Sequence, residues 1–308
     1  MTEPETTEPH MPEPRMQRLA DGVHAYVQPD GGWCLNNAGV IASGGTTIVV
    51  DTAATVKRAL ALREAVREVA SAPPRLVVNT HFHGDHTFGN CVFTPDAVVV
   101  AHKGTREEAI LADLHLTGLW PDVEWGDLRL EPPALTYEGR MTLHAGDLRA
   151  ELFRLGPAHT RDDTVVWLPD QRILFAGDLV MSGVTPFCMM GSVEGSLRAI
   201  ETMRALSPAV VVPGHGPVGG PEVLDETEHY LRWTRELAQR GLAEGLDPLE
   251  IARRAEPDRR LLDPERLVPN LRRACAEERG APPGERMDVA AMFGEMITYH
   301  GGPLPCRA

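Results

Sequence analysis

Short apolar runs recur through the first two-thirds of the chain, and many of them are rich in β-branched residues. Runs of this kind predict buried strands over residues 22–28, 36–51, 75–80, 97–101, 151–155, 164–168, 173–176 and 209–212. The strongest is TTIVVD at 46–51. Apolar residues at helical spacing predict helices over 55–70, 104–114 and 194–206. Strands interspersed with helices indicate a layered α/β core.

The strand pattern stops at residue 221, and amphipathic helical patterns follow, separated by Pro and Gly. They predict helices over 221–244, 248–255, 264–279 and 286–299. We therefore expect a core domain over 19–220 and a helical C-terminal extension over 221–308. Residues 1–18 are rich in Pro and Glu and predict a disordered tail, because they offer too little apolar surface to offset the entropy of ordering.

Composition narrows the functional classes. The chain has 30 basic and 44 acidic residues, a net charge of −14, which disfavours binding to nucleic acid or to anionic membranes. No apolar run approaches the roughly 20 residues that cross a bilayer, and the first residues do not have the pattern of a secretory signal. The five cysteines are scattered without a CxxC pair, which is typical of free thiols in a reducing cytoplasm. We expect a cytoplasmic protein.

The most informative segment is Thr80–His86, with the sequence THFHGDH. Three of the twelve histidines lie in its last six residues. In an extended segment His81 and His83 point to the same side, and Gly84 permits a sharp bend that presents Asp85 and His86. Four candidate ligands exceed what one tetrahedral zinc uses while it keeps an open position. The segment therefore predicts two metal ions.

Three more ligand-type residues, His159, Asp178 and His215, each follow an apolar run and a small or rigid residue. Sites in open α/β folds lie beyond one set of strand ends, so these segments are expected to converge. Taken singly, each residue has an ordinary alternative: a hydrogen-bonded structural histidine, or an N-cap for Asp178. A surface His-rich tract also binds metal adventitiously. The joint pattern favours a metal centre.

These residues resemble the metal-binding set of the metallo-β-lactamase-fold hydrolases, over about 19–217. The resemblance implies a four-layer αβ/βα sandwich and two Zn²⁺ ions, with iron or manganese as alternatives because nitrogen and oxygen ligands do not fix the metal. The implied ligands are His81, His83 and His159 for one ion, Asp85, His86 and His215 for the other, and Asp178 as a bridge.

An aspartate at 178 resembles the glyoxalase-II-like thioesterases and lactonases, since some true β-lactamases have cysteine near this place. Antibiotic hydrolysis is therefore not the expected activity. A di-zinc centre acidifies water and polarises a carbonyl, and Asp85 is the candidate for accepting or relaying a proton. The same Lewis acid would stabilise an enolate during ring closure, so the ligands alone do not separate hydrolysis from cyclisation.

Segments 32–39, 119–126, 180–187, 230–233 and 267–271 are similar to the cyclase/thioesterases of bacterial aromatic (type II) polyketide biosynthesis, of the actinorhodin second-ring cyclase type. This resemblance implies aldol-type cyclisation or thioester hydrolysis of a carrier-bound polyketide. Two alternatives stay open: a general glyoxalase-II-like thioesterase or lactonase, and a metal-dependent sensor or scaffold with a closed pocket.

A flat polyketide needs an apolar, aromatic cleft with few polar anchors. The candidate substrate-binding residues are Trp33, Asn36, Trp120, Thr185, Phe187 and Met189, with Trp125 and Met190 nearby in sequence. An acyl carrier protein would be an acidic partner that requires a local basic patch. The candidate arginines are Arg253, Arg254, Arg259, Arg260, Arg266, Arg272 and Arg273, and the alternative is a solvated helix face paired with Glu and Asp.

Overall fold

Two β-sheets, of seven and five strands, form the centre of the computed structural model, which describes residues 13–308. The first sheet contains, in spatial order, β1 (Arg15–Ala20), β2 (Val23–Val27), β3 (Ala38–Ser43), β4 (Thr46–Val50), β5 (Pro74–Val78), β6 (Val98–His102) and β7 (Leu135–Tyr137). The second contains β12 (Val210–His215), β11 (Ile173–Met181), β10 (Thr164–Leu168), β9 (Leu148–Arg154) and β8 (Arg140–Ala145). Apolar side chains of both sheets, such as Ile48 and Phe175, share one buried cluster. The sheets therefore pack face to face.

Helices cover the outer face of each sheet. Before residue 221, the helices are α1 (Val56–Val69), α2 (Gly84–Thr87), α3 (Asn90–Phe93), α4 (Lys103–Ala112) and α5 (Val193–Ala205). Leu62 of α1 packs with Val77 on the first sheet, and Ile200 of α5 packs with Leu174 on the second. The result is the helix–sheet–sheet–helix sandwich expected from the sequence, and that prediction is confirmed.

The predicted helical extension is also present. It consists of α6 (Glu222–Ala243), α7 (Pro248–Arg254), α8 (Leu267–Glu278) and α9 (Val289–His300), with a 3-10 turn over Pro264–Arg266. Leu231 of α6 and Leu271 of α8 belong to the same apolar cluster as Ile200 of α5, so the extension packs directly on the second sheet's helical layer. Across residues 13–308, no helix is both long and apolar enough to cross a bilayer.

The apolar pattern of the sequence did not predict three of the strands, β1, β7 and β8. Strand β1 corrects the predicted tail, because residues 15–18 pair with β2 and Met16 packs on the first sheet's outer cluster. The remainder of the predicted tail, residues 1–12, lies outside the described residues. Strand β8 was missed because its apolar residues, Met141 and Leu143, alternate with exposed polar ones. Such edge strands lack the continuous apolar run of a buried strand.

Candidate metal centre

The candidate ligands lie at one edge of the sandwich, where strands of both sheets end. Strand β5 leads into the turn that carries His81 and His83, and α2 then presents Asp85 and His86. His159 lies in the loop between β9 and β10. A Cβ at Gly84 would lie 2.4 Å from the ring of Phe88, so this turn requires glycine for close packing.

The other two candidates lie within strands rather than after them. Asp178 is part of β11 and His215 ends β12. The pairing of β11 with β12 shifts register at Gly177, whose φ is +53°. A Cβ there would lie 2.7 Å from the hydroxyl of Thr80. This bulge redirects Asp178 toward the turn after β5, as strand bulges next to functional sites commonly do.

The structure brings all seven candidates together in two adjoining groups. One group contains His81, His83, His159 and Asp178, and the other contains Asp85, His86 and His215; within each, the ligand atoms lie within 4.8 Å of one another. Asp178 connects the groups: its Oδ2 is 3.3 Å from His159 Nε2, and its Oδ1 is 3.1 Å from His86 Nε2. Of the two aspartates in the cluster, Asp85 is the more accessible: its side chain is 14% exposed, against 4% for Asp178.

Four histidines of the cluster form a hydrogen bond through Nδ1 to a group outside the seven candidate ligands. The partners are the Thr80 hydroxyl for His81, the Asp51 carboxylate for His86, the Phe187 carbonyl for His159 and the Gly31 carbonyl for His215. A proton on Nδ1 leaves the Nε2 lone pair free, and Nε2 is the atom that these rings direct into the cluster. Metal-binding histidines are oriented in this way by outer hydrogen-bond partners.

Asp51 is a functional residue that sequence reasoning missed. Its carboxylate accepts hydrogen bonds from the Thr80 amide at 2.8 Å, the Thr80 hydroxyl at 2.7 Å and His86 Nδ1 at 2.9 Å. It follows β4 with a φ of +60°, an uncommon backbone conformation for a residue other than glycine. The available signal was an acid at the end of the strongest predicted strand.

The donor set fits divalent metal ions. Within residues 13–308, three buried atoms have no assigned hydrogen-bond partner: His81 Nε2, His86 Nε2 and Asp178 Oδ1. Buried polar atoms normally have partners. His83 Nδ1 and His159 Nε2 also lie only 2.9 Å apart. Imidazole and carboxylate groups so arranged suit zinc, iron or manganese.

Burial and neighbouring charges shift the pKa values of His83 and His215, one from each group, in opposite directions. Burial, with the nearby His159, lowers the pKa of His83 to about 3. Burial also lowers the pKa of His215, but the carboxylates of Asp178 and Asp85 outweigh it and raise the pKa to about 9. Burial would raise the pKa of Asp178, yet the charges of His215 and His86 hold it well below the ordinary value. The cluster therefore holds carboxylates as anions, which favours cation binding.

A small cavity of about 40 Å³ opens beside the ligands. Its wall includes six Trp and Phe side chains: Trp33, Phe88, Trp120, Trp125, Phe187 and Phe293. Trp33 lies at the centre of this group, with its ring centroid 5.5 Å from those of Trp120 and Phe187. The predominantly apolar lining is typical of small-molecule pockets.

The C-terminal extension shapes this wall, which the sequence analysis did not predict. Glu265 accepts a hydrogen bond of 2.6 Å from Trp33 Nε1, and the Arg266 guanidinium carbon lies 4.0 Å from the Trp33 ring centroid. Trp120 Nε1 donates to the carbonyl of Leu304 at 3.1 Å. Both tryptophans are therefore positioned by residues beyond 221.

The predicted substrate-binding residues divide into two sets. Trp33, Trp120 and Phe187 line the cavity, whereas Asn36, Thr185 and Met189 do not. Asn36 is fully buried and donates to the Thr52 carbonyl at 2.9 Å. Thr185 donates to the Leu262 carbonyl at 2.7 Å, and Met189 is fully buried. These three are corrected to structural roles, because their polar groups or volumes are used within the fold.

The candidate arginines are dispersed, and several are ion-paired, as the alternative of a solvated helix face predicts. Arg266 and Arg273 are buried, with 2% and 0% exposure, and Arg273 donates to the carbonyls of Met189 and Glu285. Arg272 pairs with Glu295 at 2.6 Å and Arg260 with Asp258 at 2.6 Å. Arg253, Arg254 and Arg259 are exposed. The seven arginines therefore do not form one basic surface.

Comparison with known proteins is consistent with this geometry. The sequence profile of the family described as the metallo-beta-lactamase superfamily matches residues 31–215. The chain is 22% identical to a linear primary-alkylsulfatase of Pseudomonas sp. over 68% of this chain and 48% of that protein. It is 29% identical to the acyl-coenzyme A thioesterase MBLAC2 of Bos taurus over 52% of this chain and 62% of that protein. The chain thus spans about half of the first relative and less than two-thirds of the second.

Among solved structures, a metallo-beta-lactamase from Pontibacter korlensis superposes with a TM-score of 0.58 at 24% identity, covering 71% of this chain and 99% of that one. At this identity the likeness describes the fold. The part of this chain that such structures leave uncovered is consistent in size with the C-terminal extension.

Proposed function

The chain belongs to the metallo-beta-lactamase superfamily, and we propose that it is a di-zinc enzyme that cleaves the thioester of an aromatic polyketide, coupled to aldol-type ring closure. The observation that carries this proposal is the aromatic cavity in direct contact with the ligand cluster: Trp33 and Phe187 share its lining with Asp85 and His215. An extended aromatic acyl group would lie against the indoles while its reacting carbonyl meets the cluster.

His81, His83 and His159 would hold one ion, Asp85, His86 and His215 the second, and Asp178 both. Bound zinc would supply Lewis acidity toward a carbonyl oxygen and would make a nearby water more acidic. The protein itself orients the imidazoles through the outer partners described above, and it places the aromatic wall beside them.

Asp85 is the proposed proton carrier. It lines the cavity, is the most accessible carboxylate of the cluster, and lies 3.2 Å from His215 Nε2. In hydrolysis, a water oxygen bonds to the thioester carbon, the carbon–sulfur bond breaks, and the thiol leaves with a proton that Asp85 can relay from the water. In ring closure, the same carboxylate would accept a proton from a carbon between two carbonyls before the new carbon–carbon bond forms and water is lost.

Two further observations support the polyketide class over small hydrophilic thioesters. Segments 32–39, 119–126 and 180–187, which resemble the aromatic polyketide cyclases, contribute Trp33, Trp120 and Phe187 to the wall. Apart from the ligands, Arg266 is the one charged side chain in the described lining, and it is stacked on Trp33. A hydrophilic acyl group would find few hydrogen-bond partners on such a wall.

An acyl carrier protein is the proposed bearer of the substrate, with the exposed Arg253, Arg254 and Arg259 as its remaining basic contacts. The five cysteines are free thiols, which supports a reducing, cytoplasmic setting.

The test compares zinc-loaded protein on two thioesters of the same thiol, one with a bicyclic aromatic acyl group and one with a short hydroxyacyl group. We expect metal-dependent turnover and a preference of at least tenfold in kcat/KM for the aromatic substrate, which corresponds to roughly 1.4 kcal/mol of differential binding. Preference for the hydroxyacyl substrate would indicate the glyoxalase-II-like alternative. Metal binding without turnover of either would indicate a sensor or scaffold.

A further inference from the structure

His83 is oriented differently from the four histidines whose outer partners are described above. Its Nδ1 lies 2.9 Å from His159 Nε2 and so faces the cluster, whereas its Nε2 lies 3.3 Å from Met190 Sδ. The four other rings use Nδ1 for their outer partner. A neutral imidazole has a proton on one nitrogen and a lone pair on the other. If Nδ1 of His83 binds metal, its proton is therefore on Nε2, where it faces the thioether.

Met190 is also part of the cavity wall. Its side chain is half-buried, lines the cavity, and packs against the apolar cluster that includes Trp33 and Phe187. A thioether is a weak hydrogen-bond acceptor at the end of a flexible side chain. Met190 can therefore hold the His83 ring only where its own position is fixed.

The C-terminal extension fixes the backbone on both sides of Met190. Arg273 of α8 is fully buried and donates from Nε and Nη2 to the Met189 carbonyl, at 3.0 and 2.6 Å. On the other side, the Gly284 amide donates to the Gly191 carbonyl at 2.9 Å. Residues beyond 221 thereby set the place from which the Met190 sulfur meets the imidazole.

We propose that Met190 is a positioning residue for the metal centre: its sulfur accepts a hydrogen bond from His83 Nε2 and holds the ring with Nδ1 directed at the ion. Outer hydrogen-bond partners orient metal-binding histidines in this way. Here the outer partner also lines the cavity, so one side chain supports a ligand and forms part of the wall that a substrate would contact. The proposal rests on the metal centre and not on the identity of the substrate.

The experiment measures zinc affinity by competition with a chromophoric chelator. M190L removes the acceptor from an apolar side chain of similar size. We expect the affinity for one of the two ions to fall about 3- to 10-fold, less than the roughly 10- to 100-fold typical of outer partners, because sulfur is a weak acceptor. M190Q supplies an amide oxygen and should restore the affinity to within about twofold of the wild-type value. M292L is the matched control, because Met292 is another half-buried methionine of the same apolar cluster.

The control should bind zinc as the wild-type protein does. Equal losses of affinity in M190L and M190Q would show that packing matters and the acceptor does not, which would overturn the proposal. A wild-type protein that binds no zinc would overturn the metal centre together with this role. Absence of thioester turnover in a protein that binds zinc would count against the proposed function and leave the role of Met190 in place.

A second measurement observes the ring itself. Long-range proton–nitrogen NMR spectra of the zinc-loaded wild-type protein distinguish the two neutral tautomers of histidine. We expect His83 to have its proton on Nε2, whereas His81, His86, His159 and His215 have theirs on Nδ1. M190L should shift the His83 Nε2 resonance and leave the other four in place. A proton on Nδ1 of His83, or an unchanged His83 resonance in M190L, overturns the proposal. The tautomer is read in the wild-type protein, so this result does not depend on the folding of a variant.

Discussion

Asp51 is the residue on which the orientation of the HFHGDH turn most directly depends. One carboxylate binds both the backbone and the hydroxyl of Thr80 and also Nδ1 of His86. The contact fixes the ring of a candidate ligand without itself reaching the cavity. Asp51 is therefore a positioning residue whose loss should affect metal affinity before it affects the fold.

For Asp51→Asn, we expect metal affinity to fall by about 10- to 100-fold, as is typical when the outer partner of a metal-binding histidine is changed. The measurement is competition of the loaded protein against a chromophoric chelator, with circular dichroism to check the fold. Asp258→Asn is the control, since Asp258 pairs with exposed Arg260 and lies outside the ligand cluster. Unchanged affinity in Asp51→Asn would contradict the positioning role.

Gly177 provides a second prediction at this scale. Gly177→Ala places a Cβ 2.7 Å from Thr80 Oγ1 at a φ of +53°, so both overlap and backbone strain act against it. We expect the free energy of unfolding to fall by about 3 kcal/mol, measured by urea denaturation. Gly183→Ala is matched: its φ is +67° with no atom within 4 Å, so only strain of about 1 kcal/mol applies. Equal losses in both would show that the bulge has no steric requirement.

At the scale of elements, the C-terminal helices do more than cover the second sheet. The turn before α8 supplies Glu265 and Arg266, which hold Trp33, and the residues after α9 supply the carbonyl that holds Trp120. The family profile ends at residue 215, so these contacts lie outside the part of the chain that it describes. The extension thereby determines the shape of a cavity whose chemistry comes from the strand ends.

Glu265→Ala tests this dependence. The change leaves the buried Trp33 indole without its acceptor, which should cost about 1–3 kcal/mol of stability. With the indole no longer held, we expect KM for an aromatic thioester to rise more than KM for a short one, while kcat changes little. Steady-state kinetics on both substrates gives this comparison, and Glu256→Ala on the exposed surface is the control. A uniform fall in kcat for both substrates would argue against a role in selectivity.

At the scale of the whole molecule, the candidate ligands come from both sheets. His81 and His83 follow β5 of the first sheet, whereas Asp178 and His215 belong to β11 and β12 of the second. A metal bound between them would cross-connect the two halves of the sandwich. Because metal would bind the folded state and not the unfolded chain, it should contribute directly to global stability.

Removal of metal should therefore lower Tm. With metal at 1,000 times its dissociation constant, the linkage is worth about 4 kcal/mol, or roughly 10 °C for a chain of this size. Differential scanning fluorimetry before and after dialysis against a chelator measures the shift, and added zinc should reverse it. His159→Ala should show no comparable zinc-dependent rise. If the wild-type Tm is insensitive to both chelator and zinc, the cluster is not a metal centre.

The layered α/β class, the central strands and helices, and the helical extension were predictable because buried strands and amphipathic helices have local apolar patterns. Strands such as β8 were not, because half of their residues face solvent and the pattern resembles a loop. The candidate ligands were recognisable from residue type and position after apolar runs. The residues of the cavity wall were only partly predictable from the sequence. Trp33 and Phe187 line the cavity as expected, whereas Asn36 and Met189 are buried inside the fold.

The amino-acid sequence by itself determined the layered fold class and the identity of seven candidate ligands, since both depend on short-range patterns of residue type. Only the tertiary structure decided that Asp51 orients His86 and that Glu265 and Arg266 fix Trp33. Those contacts join residues up to 233 positions apart, and no local periodicity records which distant side chains the packing of sheets and helices will bring together.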